Sequence, residues 1–598
     1  MSDGPRTEYS RRLAAWRDEE KRLEANDSRW SRLRGAAGLA ALLLGFGAFG
    51  LKQVPAYALA PPVAVLAALV VIHERDVRRR ERARRAIRHY ERAMRRLDGV
   101  LRGDTGTGAE FLDPRHLYAA DLDVLGPGSL FELISTARTR EGEATLAAWL
   151  LAPATHEEAS KRQEAVKELR DRVSLREELA LEGEEIRAGL EEKALRAWAA
   201  APPAALPAAG RPLCIGAALL TAGSFLGWLG QLWPLWPFLL MTLGVFAIQL
   251  WLRPRVEPVM ESLDAPARDL RLVAAILARL EREDVKCERL LEVRGRLRAE
   301  GRAASAEIAG LRKLVDRHDD AHNQFFAPFA FLLLWTPLLA YKVESWRRRC
   351  GGRAADWIGA IAEFEALCSL AGYAYEHPST VFPELLSGGR EFDSEGLAHP
   401  LLPEDRAVVN DVRLGEQPRI LVVSGSNMSG KSTLLRAVGL NTALAWAGAP
   451  VRAKRLRVSR LAVGASLRTV DSLQEGRSRF YAEITRIREI LDLTRKGPPV
   501  LFLLDELLSG TNSHDRQAGA EGILRSLLDR GAIGLTTTHD LALVRIGDSL
   551  APLAANVHFE DSYTDSGIHF DYWMKPGPVQ RSNAIALMRS VGLDVGGP

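Results

Sequence analysis

Ser424-Gly425-Ser426-Asn427-Met428-Ser429-Gly430-Lys431-Ser432-Thr433 fits the pattern G-x-x-x-x-G-K-[ST] and directly follows a short apolar run, Arg419-Ile420-Leu421-Val422-Val423. A helical pattern through Leu434, Leu435, Val438 and Leu440 comes next. Strand, glycine loop and helix in that order are what a phosphate-binding loop requires. Consecutive backbone N–H groups from Gly425 to Thr433, backed by the start of the helix, make a cradle for phosphate oxygens. Lys431 is placed to reach the β- and γ-phosphates, and the Ser432 hydroxyl to ligate Mg²⁺. The alternative is a chance glycine turn, and two motifs downstream argue against it. The chain is expected to bind a nucleoside triphosphate.

The first of those motifs is Val500-Leu501-Phe502-Leu503-Leu504-Asp505-Glu506, an apolar run ending in two carboxylates. Continuous apolarity suits a central parallel strand buried on both faces. Asp505 at its carboxyl end is expected to hold Mg²⁺, directly or through water, and Glu506 to polarise the attacking water as general base. A strand that merely surfaces in acids is the bland reading. The second motif is Ala532-Ile533-Gly534-Leu535-Thr536-Thr537-Thr538, which ends at His539-Asp540. A histidine at such a strand tip can hydrogen-bond the transferring phosphoryl group or the water, though a lone histidine more often serves structure. Lys431, Glu506 and His539 are the expected catalytic residues.

Taken together, these segments resemble one ATPase family, MutS. Gly425-Ser426-Asn427-Met428-Ser429-Gly430-Lys431-Ser432 is close to its G-P-N-M-G-G-K-S loop. Asp471-Ser472-Leu473-Gln474-Glu475-Gly476-Arg477-Ser478-Arg479-Phe480 is similar to its D-x-L-x-x-G-x-S-x-F stretch. The segment from Asp505 through Thr511 to Asp515 resembles its D-E-x-x-x-G-T-x-x-x-[DE] signature, and Thr538-His539 its T-H switch. His399-Pro400 and Asn410-Asp411 look like its lead-in. More faintly, Gly128-Ser129-Leu130-Phe131-Glu132-Leu133 and Ala362-Glu363-Phe364-Glu365-Ala366-Leu367 look like the two ends of its helical core. The resemblance implies ATP and Mg²⁺ as cofactors, DNA as ligand, and a homodimer with composite sites. Ser478 then approaches, in trans, the γ-phosphate held by a partner subunit.

Departures from the family pattern are also present. Hydrophobic segments occupy the amino-terminal region where the family carries its mismatch-reading domain with an F-x-E wedge. The one tempting F-x-E, Phe382-Pro383-Glu384, lies just ahead of the ATPase region and reads as a turn. Ala407-Val408-Val409 stands where the family has an aromatic platform for adenine. Dimerisation through a carboxyl-terminal helix-turn-helix is not expected, because the chain ends at Pro598.

Bulk composition adds little on ligands: net charge is +4 over 598 residues. Cys214, Cys287, Cys350 and Cys368 lack metal-ligand spacing and read as reduced, largely buried thiols in a cytoplasmic setting. The apolar residues are distributed more tellingly. Gly35–Leu51, Gln53–Ile72 and Pro212–Leu252 carry no charge, and the last is long enough for two membrane crossings of about 20 residues each. Trp228, Trp233 and Trp236 cluster around its break at Gly230–Pro234, as an interfacial aromatic belt does. Two hairpins of two spans are expected, with a pair of buried hairpins in a soluble core as the alternative. Arg75–Arg102 holds twelve arginines, and positive flanks stay inside. Both hairpins therefore return to the cytoplasm, and the nucleotide domain lies where ATP is. The run Arg78–Arg85 could touch anionic lipid or DNA phosphates, or be a solvated helix that fixes topology; its place beside a span favours lipid and topology over DNA. A further apolar stretch, Gln324–Tyr341, contains Pro328 and Pro337 and is expected not to span.

The expected fold is an α/β P-loop ATPase domain of ABC or MutS type, with a mostly α-helical core or lever carrying two transmembrane hairpins. Its parts are a cytoplasmic helix (1–34), hairpin 1 (35–73), a basic helix and first part of the core (74–210), hairpin 2 (211–253), a helical lever (254–394) and the ATPase domain (395–598). The expected protein is multi-pass in the cell's inner membrane, with its ATPase domain cytoplasmic and the lipid bilayer and DNA as partners. One competing reading is an ABC transporter-like ATPase. An ABC signature, however, precedes the acidic motif, whereas here Leu508-Ser509-Gly510-Thr511 follows it. A membrane scaffold clamped by ATP without turnover is the other.

Overall fold

The arginine run and the acids that precede it meet along two long helices, α1 (Pro5–Gly45) and α2 (Ala60–Leu97). Arg84 pairs with Glu20 at 2.8 Å, Arg80 with Glu24 at 2.5 Å, and Arg17 with Glu91 at 2.7 Å. As one residue number rises the other falls, which is the register of an antiparallel hairpin. A third helix, α3 (Val173–Gly183), completes this unit, which comprises residues 1–102 and 173–184. Its buried Glu177 accepts hydrogen bonds from Arg12 Nη1 (2.6 Å), Trp16 Nε1 (2.7 Å) and the Tyr90 hydroxyl (2.7 Å). Burial, reinforced by the Glu177 carboxylate, pushes the Tyr90 phenol far above its ordinary range, so it remains a donor. The boundaries expected at residues 34/35 and 73/74 fall inside continuous helices. Charges of the run Arg78–Arg85 that were open to DNA or lipid are in part taken up by acids of α1.

The computed structural model describes the chain apart from residues 1–3, 52–54, 56–57, 59, 102, 104–105, 184–191, 203, 264–269, 300–301, 322, 324–325, 427, 468–478, 496, 509–512, 565–566 and 580–598. Among the described residues, three helices are long and apolar enough to cross a membrane: the one that begins at Pro5 and runs to Gly50, then α4 (Gly210–Leu229) and α5 (Trp236–Glu261). The expected span over residues 53–72 lies partly outside the described residues. α4 and α5 pack against each other and turn their bulkiest side chains outward. Leu219, Leu226, Leu243 and Leu250 are all more than 60% exposed, as are Leu42, Phe46 and Phe49 on the first hairpin.

The stretch Gln324–Tyr341 is broken. A short helix (Ala327–Leu332) stops before Leu334, which is in the left-handed conformation (φ 50°) and serves as N-cap of α6 (Trp335–Glu376). Pro337 falls in the first turn of α6, where its missing N–H has no intrahelical partner to lose. Leu334, Leu339, Ala340 and Val343 are buried in protein. At 42 residues, α6 is about 60 Å long. Amphipathic helices Leu270–Arg282, Glu288–Arg296 and Ala304–Ala321 fill the region read as a lever, and Arg289 and Arg296 both pair with Glu363 of α6.

The runs 420–424, 500–504 and 533–538 are buried at every position, so each needs strand neighbours for its backbone groups. They become β1 (Ile420–Ser424), β3 (Val500–Leu504) and β4 (Ile533–Thr538), joined by β2 (Ala462–Ser466), β5 (Ala554–Thr564) and β6 (Gly567–Pro576). The six-stranded order is β6-β5-β1-β4-β3-β2, parallel except for the β5–β6 hairpin. A four-stranded sheet, which includes Phe392–Leu397 and Asn410–Leu414, lies in the same unit. Phe382-Pro383-Glu384, read as a turn, instead leads into its edge strand Glu384–Leu386, and the Pro383 carbonyl accepts from Gln163 Nε2.

Candidate nucleotide site

Strand register places the chemistry. Ser424 at the end of β1 is level with Thr538, and Leu504 at the end of β3 is level with Thr536. The glycine loop, Asp505-Glu506 and His539 therefore emerge together from the carboxyl ends of three adjacent parallel strands. Ligands of open α/β sheets bind at those ends.

The loop leaves β1 through Gly425 (φ 150°), where an added Cβ would lie 2.9 Å from Ser429 Oγ and 3.0 Å from the Phe559 carbonyl oxygen. It re-enters the helix α7 (Lys431–Ala447) through Gly430 (φ 104°), which serves as the N-cap. Met428 at the tip also has positive φ (73°) and is exposed. Lys431 is buried, and its Nζ donates to the carbonyls of Gly425 (2.9 Å) and Ser426 (2.6 Å). The ammonium thus lies under the loop, bonded to its own backbone where a phosphate oxygen can take over. Ser432 is half-buried and Thr433 exposed at the first turn of α7. Asn427 and Ser478 lie outside the described residues, as does Thr511.

Thr537, to which the strand pattern alone gives no role, ties the two acids together. The Thr537 hydroxyl donates to Asp505 Oδ1 (2.5 Å) and accepts from the Glu506 backbone N–H (2.8 Å). Glu506 adopts φ 49°, a conformation costly for a residue with a side chain, and this bond helps to hold it there. His539 Nδ1 is 3.5 Å from Glu506 Oε1. The arrangement presents a carboxylate for a cation at Asp505 and a second carboxylate, paired with an imidazole, for a water. These donors fit Mg²⁺ held by Ser432 and Asp505, with the rest of its shell left to water and phosphate oxygens.

Beside the loop is a cavity of about 320 Å³, lined by His399, Asn410, Thr433, Leu434, Phe559 and Tyr572. Tyr572 is half exposed and lies close enough to Gly430 that an added Cβ there would be 3.2 Å from its ring. Asn410 fixes this part of β6: its Nδ2 donates to the Tyr572 carbonyl (3.1 Å) and its Oδ1 accepts from the Met574 N–H (2.7 Å). Tyr572, about 160 residues downstream of Ala407-Val408-Val409, puts an aromatic ring at this cavity from a strand no local pattern links to the loop. Burial, with Arg436 and Arg452 nearby, lowers the His399 imidazole to about 4. It is neutral near pH 7, and its Nδ1 accepts from the Leu401 N–H (3.2 Å).

Comparison with known proteins matches residues 421–595 to MutS domain V. The DNA mismatch repair protein MutS 2 of Halobacterium salinarum is 35% identical over 242 residues, covering 39% of this chain and 27% of that protein. The endonuclease MutS2 of Thermus thermophilus is 35% identical over 213 residues, 34% of this chain and 27% of that protein. The DNA mismatch repair protein MutS of Natronomonas pharaonis is 34% identical over 249 residues, 40% and 28% respectively. The chain thus spans little more than a quarter of the length of these relatives.

Proposed function

We propose that this chain, whose residues 421–595 match MutS domain V, is a membrane-anchored, Mg²⁺-dependent ATPase that couples ATP hydrolysis to DNA. The observation that carries the hydrolytic reading is the convergence of Lys431, Asp505, Glu506 and His539 at neighbouring strand ends. Lys431 would take the β- and γ-phosphates, and Ser432 with Asp505 would hold Mg²⁺. Glu506 accepts the proton of the attacking water while His539 orients Glu506 or the γ-phosphate. When bound, the metal would supply neutralisation of phosphate charge.

Adenine fits the cavity beside the loop, with Tyr572 as its stacking face. Loss of one base–aromatic stack is worth about 1–3 kcal/mol. Tyr572→Ala is therefore expected to raise KM for ATP at least about fivefold with kcat little changed. Steady-state phosphate release against ATP concentration checks this, and an unchanged KM removes Tyr572 from the base site.

Membrane anchoring is supported by the outward-facing leucines of α4 and α5. Leaving one such side chain in water forgoes about 1.5–3 kcal/mol of burial, and contiguous apolar patches of this kind mark a non-aqueous neighbour. The DNA role draws on the relatives' names and on the shared domain. Dimerisation through the ATPase domains would complete each site with Ser478 of the other copy. Titrating ATPase activity of the purified full chain with duplex, mismatched, branched and single-stranded DNA tests the DNA role. Stimulation of at least about fivefold by one of these is expected. A flat response to all four removes DNA from the function.

A further inference from the structure

The face of α5 that carries Phe246, Leu250, Arg253, Glu257 and Glu261 recurs every three or four residues, so one stripe of the helix passes from apolar to charged. It forms a wall of a cavity of about 750 Å³, opposite Phe331 of the short helix Ala327–Leu332 and Asp319 at the end of Ala304–Ala321. Gln249 Nε2 donates to the Phe331 carbonyl (2.9 Å), and the rings of Phe246 and Phe331 are 6.5 Å apart, which fixes the short helix beside α5. Phe329 on that helix is 57% exposed. The apolar run of α5 ends at Leu252, so the cavity lies where a spanning helix passes from hydrocarbon into water.

From this geometry we infer a binding site for a phospholipid whose headgroup bears both a phosphate and a primary ammonium, an inference that rests on the membrane reading. Arg253 donates from Nε and Nη2 to Glu257 (3.2 and 3.3 Å), yet its side chain is 68% exposed, so a headgroup phosphate can reach the guanidinium. Glu257, Glu261 and Asp319 give the same cavity three carboxylates, against the Arg253 guanidinium and the imidazole of His318. A purely anionic headgroup would meet more repulsion than attraction there. A quaternary ammonium has no N–H to donate, whereas a primary ammonium has three donors for carboxylate oxygens. The acyl chains then continue along Phe246, Leu250 and Phe331 toward the bilayer interior.

The test is native mass spectrometry of the full chain purified in detergent and equilibrated with equal amounts of phosphatidylethanolamine, phosphatidylcholine and phosphatidylglycerol. Retention of phosphatidylethanolamine at least about fivefold above the other two is expected. The Glu257→Gln/Glu261→Gln pair is expected to lower it to the phosphatidylcholine level with an unchanged melting profile. Equal retention of the three lipids, no retention, or a preference that survives the double substitution overturns the site. Carbonate extraction of membranes separates the two levels. A chain that washes off ends both the membrane reading and this site, and one that stays embedded without headgroup preference ends only the site.

Discussion

Glu506→Gln is expected to lower phosphate release by about 10²–10⁴-fold, the range that a positioned general base contributes, while ATP still binds at close to wild-type affinity. The substitution keeps the size of the side chain and leaves the Glu506 N–H bond to Thr537 in place, so the left-handed backbone is not released. It removes only the capacity to take a proton from water. His539, 3.5 Å away, loses a carboxylate partner but keeps its place on the strand tip. Phosphate release and equilibrium binding of a fluorescent ATP analogue, run on the same sample, separate the two effects. Turnover within threefold of wild type takes Glu506 out of the chemistry.

Lys431→Met is expected to behave differently, losing binding as well as turnover. Methionine is similar in length and suits the buried position, so α7 has no reason to unfold. What disappears is a charged donor lying beneath the loop. Hydrogen bonds to charged groups contribute about 1.5–3 kcal/mol each, and losing two to phosphate oxygens corresponds to a drop in ATP affinity of about 100-fold or more. Two loop carbonyls, of Gly425 and Ser426, also lose the donor that bridges them. The analogue-binding assay used for Glu506→Gln reads this directly. Retained affinity contradicts the assignment of Lys431 to the phosphates.

The parts of this molecule legible in the sequence are those in which neighbouring residues share one task. A phosphate cradle is a local object, so Gly425 to Thr433 announces itself, and the buried strand ending in Asp505-Glu506 does so through unbroken apolarity. Thr537 could not be found this way. In Thr536-Thr537-Thr538 every side chain sits on a strand buried on both faces, and nothing local says which hydroxyl meets Asp505. Tyr572 is legible only once β6 is known to lie near the loop, a pairing made through β5 and Asn410 rather than through spacing. Charge runs mislead for the same reason. Arg78–Arg85 leaves a ligand surface open beside a solvated helix until the acids of α1, some 60 residues earlier, are seen to pair with Arg80 and Arg84 across the hairpin. The stretch Gln324–Tyr341 was separable from the spans by its prolines, but the left-handed Leu334 that breaks it carries no sequence mark.

Multiple-turnover phosphate release by the purified full chain, measured with Mg²⁺ and again after chelation, bears most directly on the central claim. Many phosphates per chain are expected with the metal, none above background without it, and about 10²–10⁴-fold slower release in Glu506→Gln with the metal. A wild-type chain that binds ATP yet releases no more phosphate than Glu506→Gln would be a clamp rather than an ATPase, and would contradict this account.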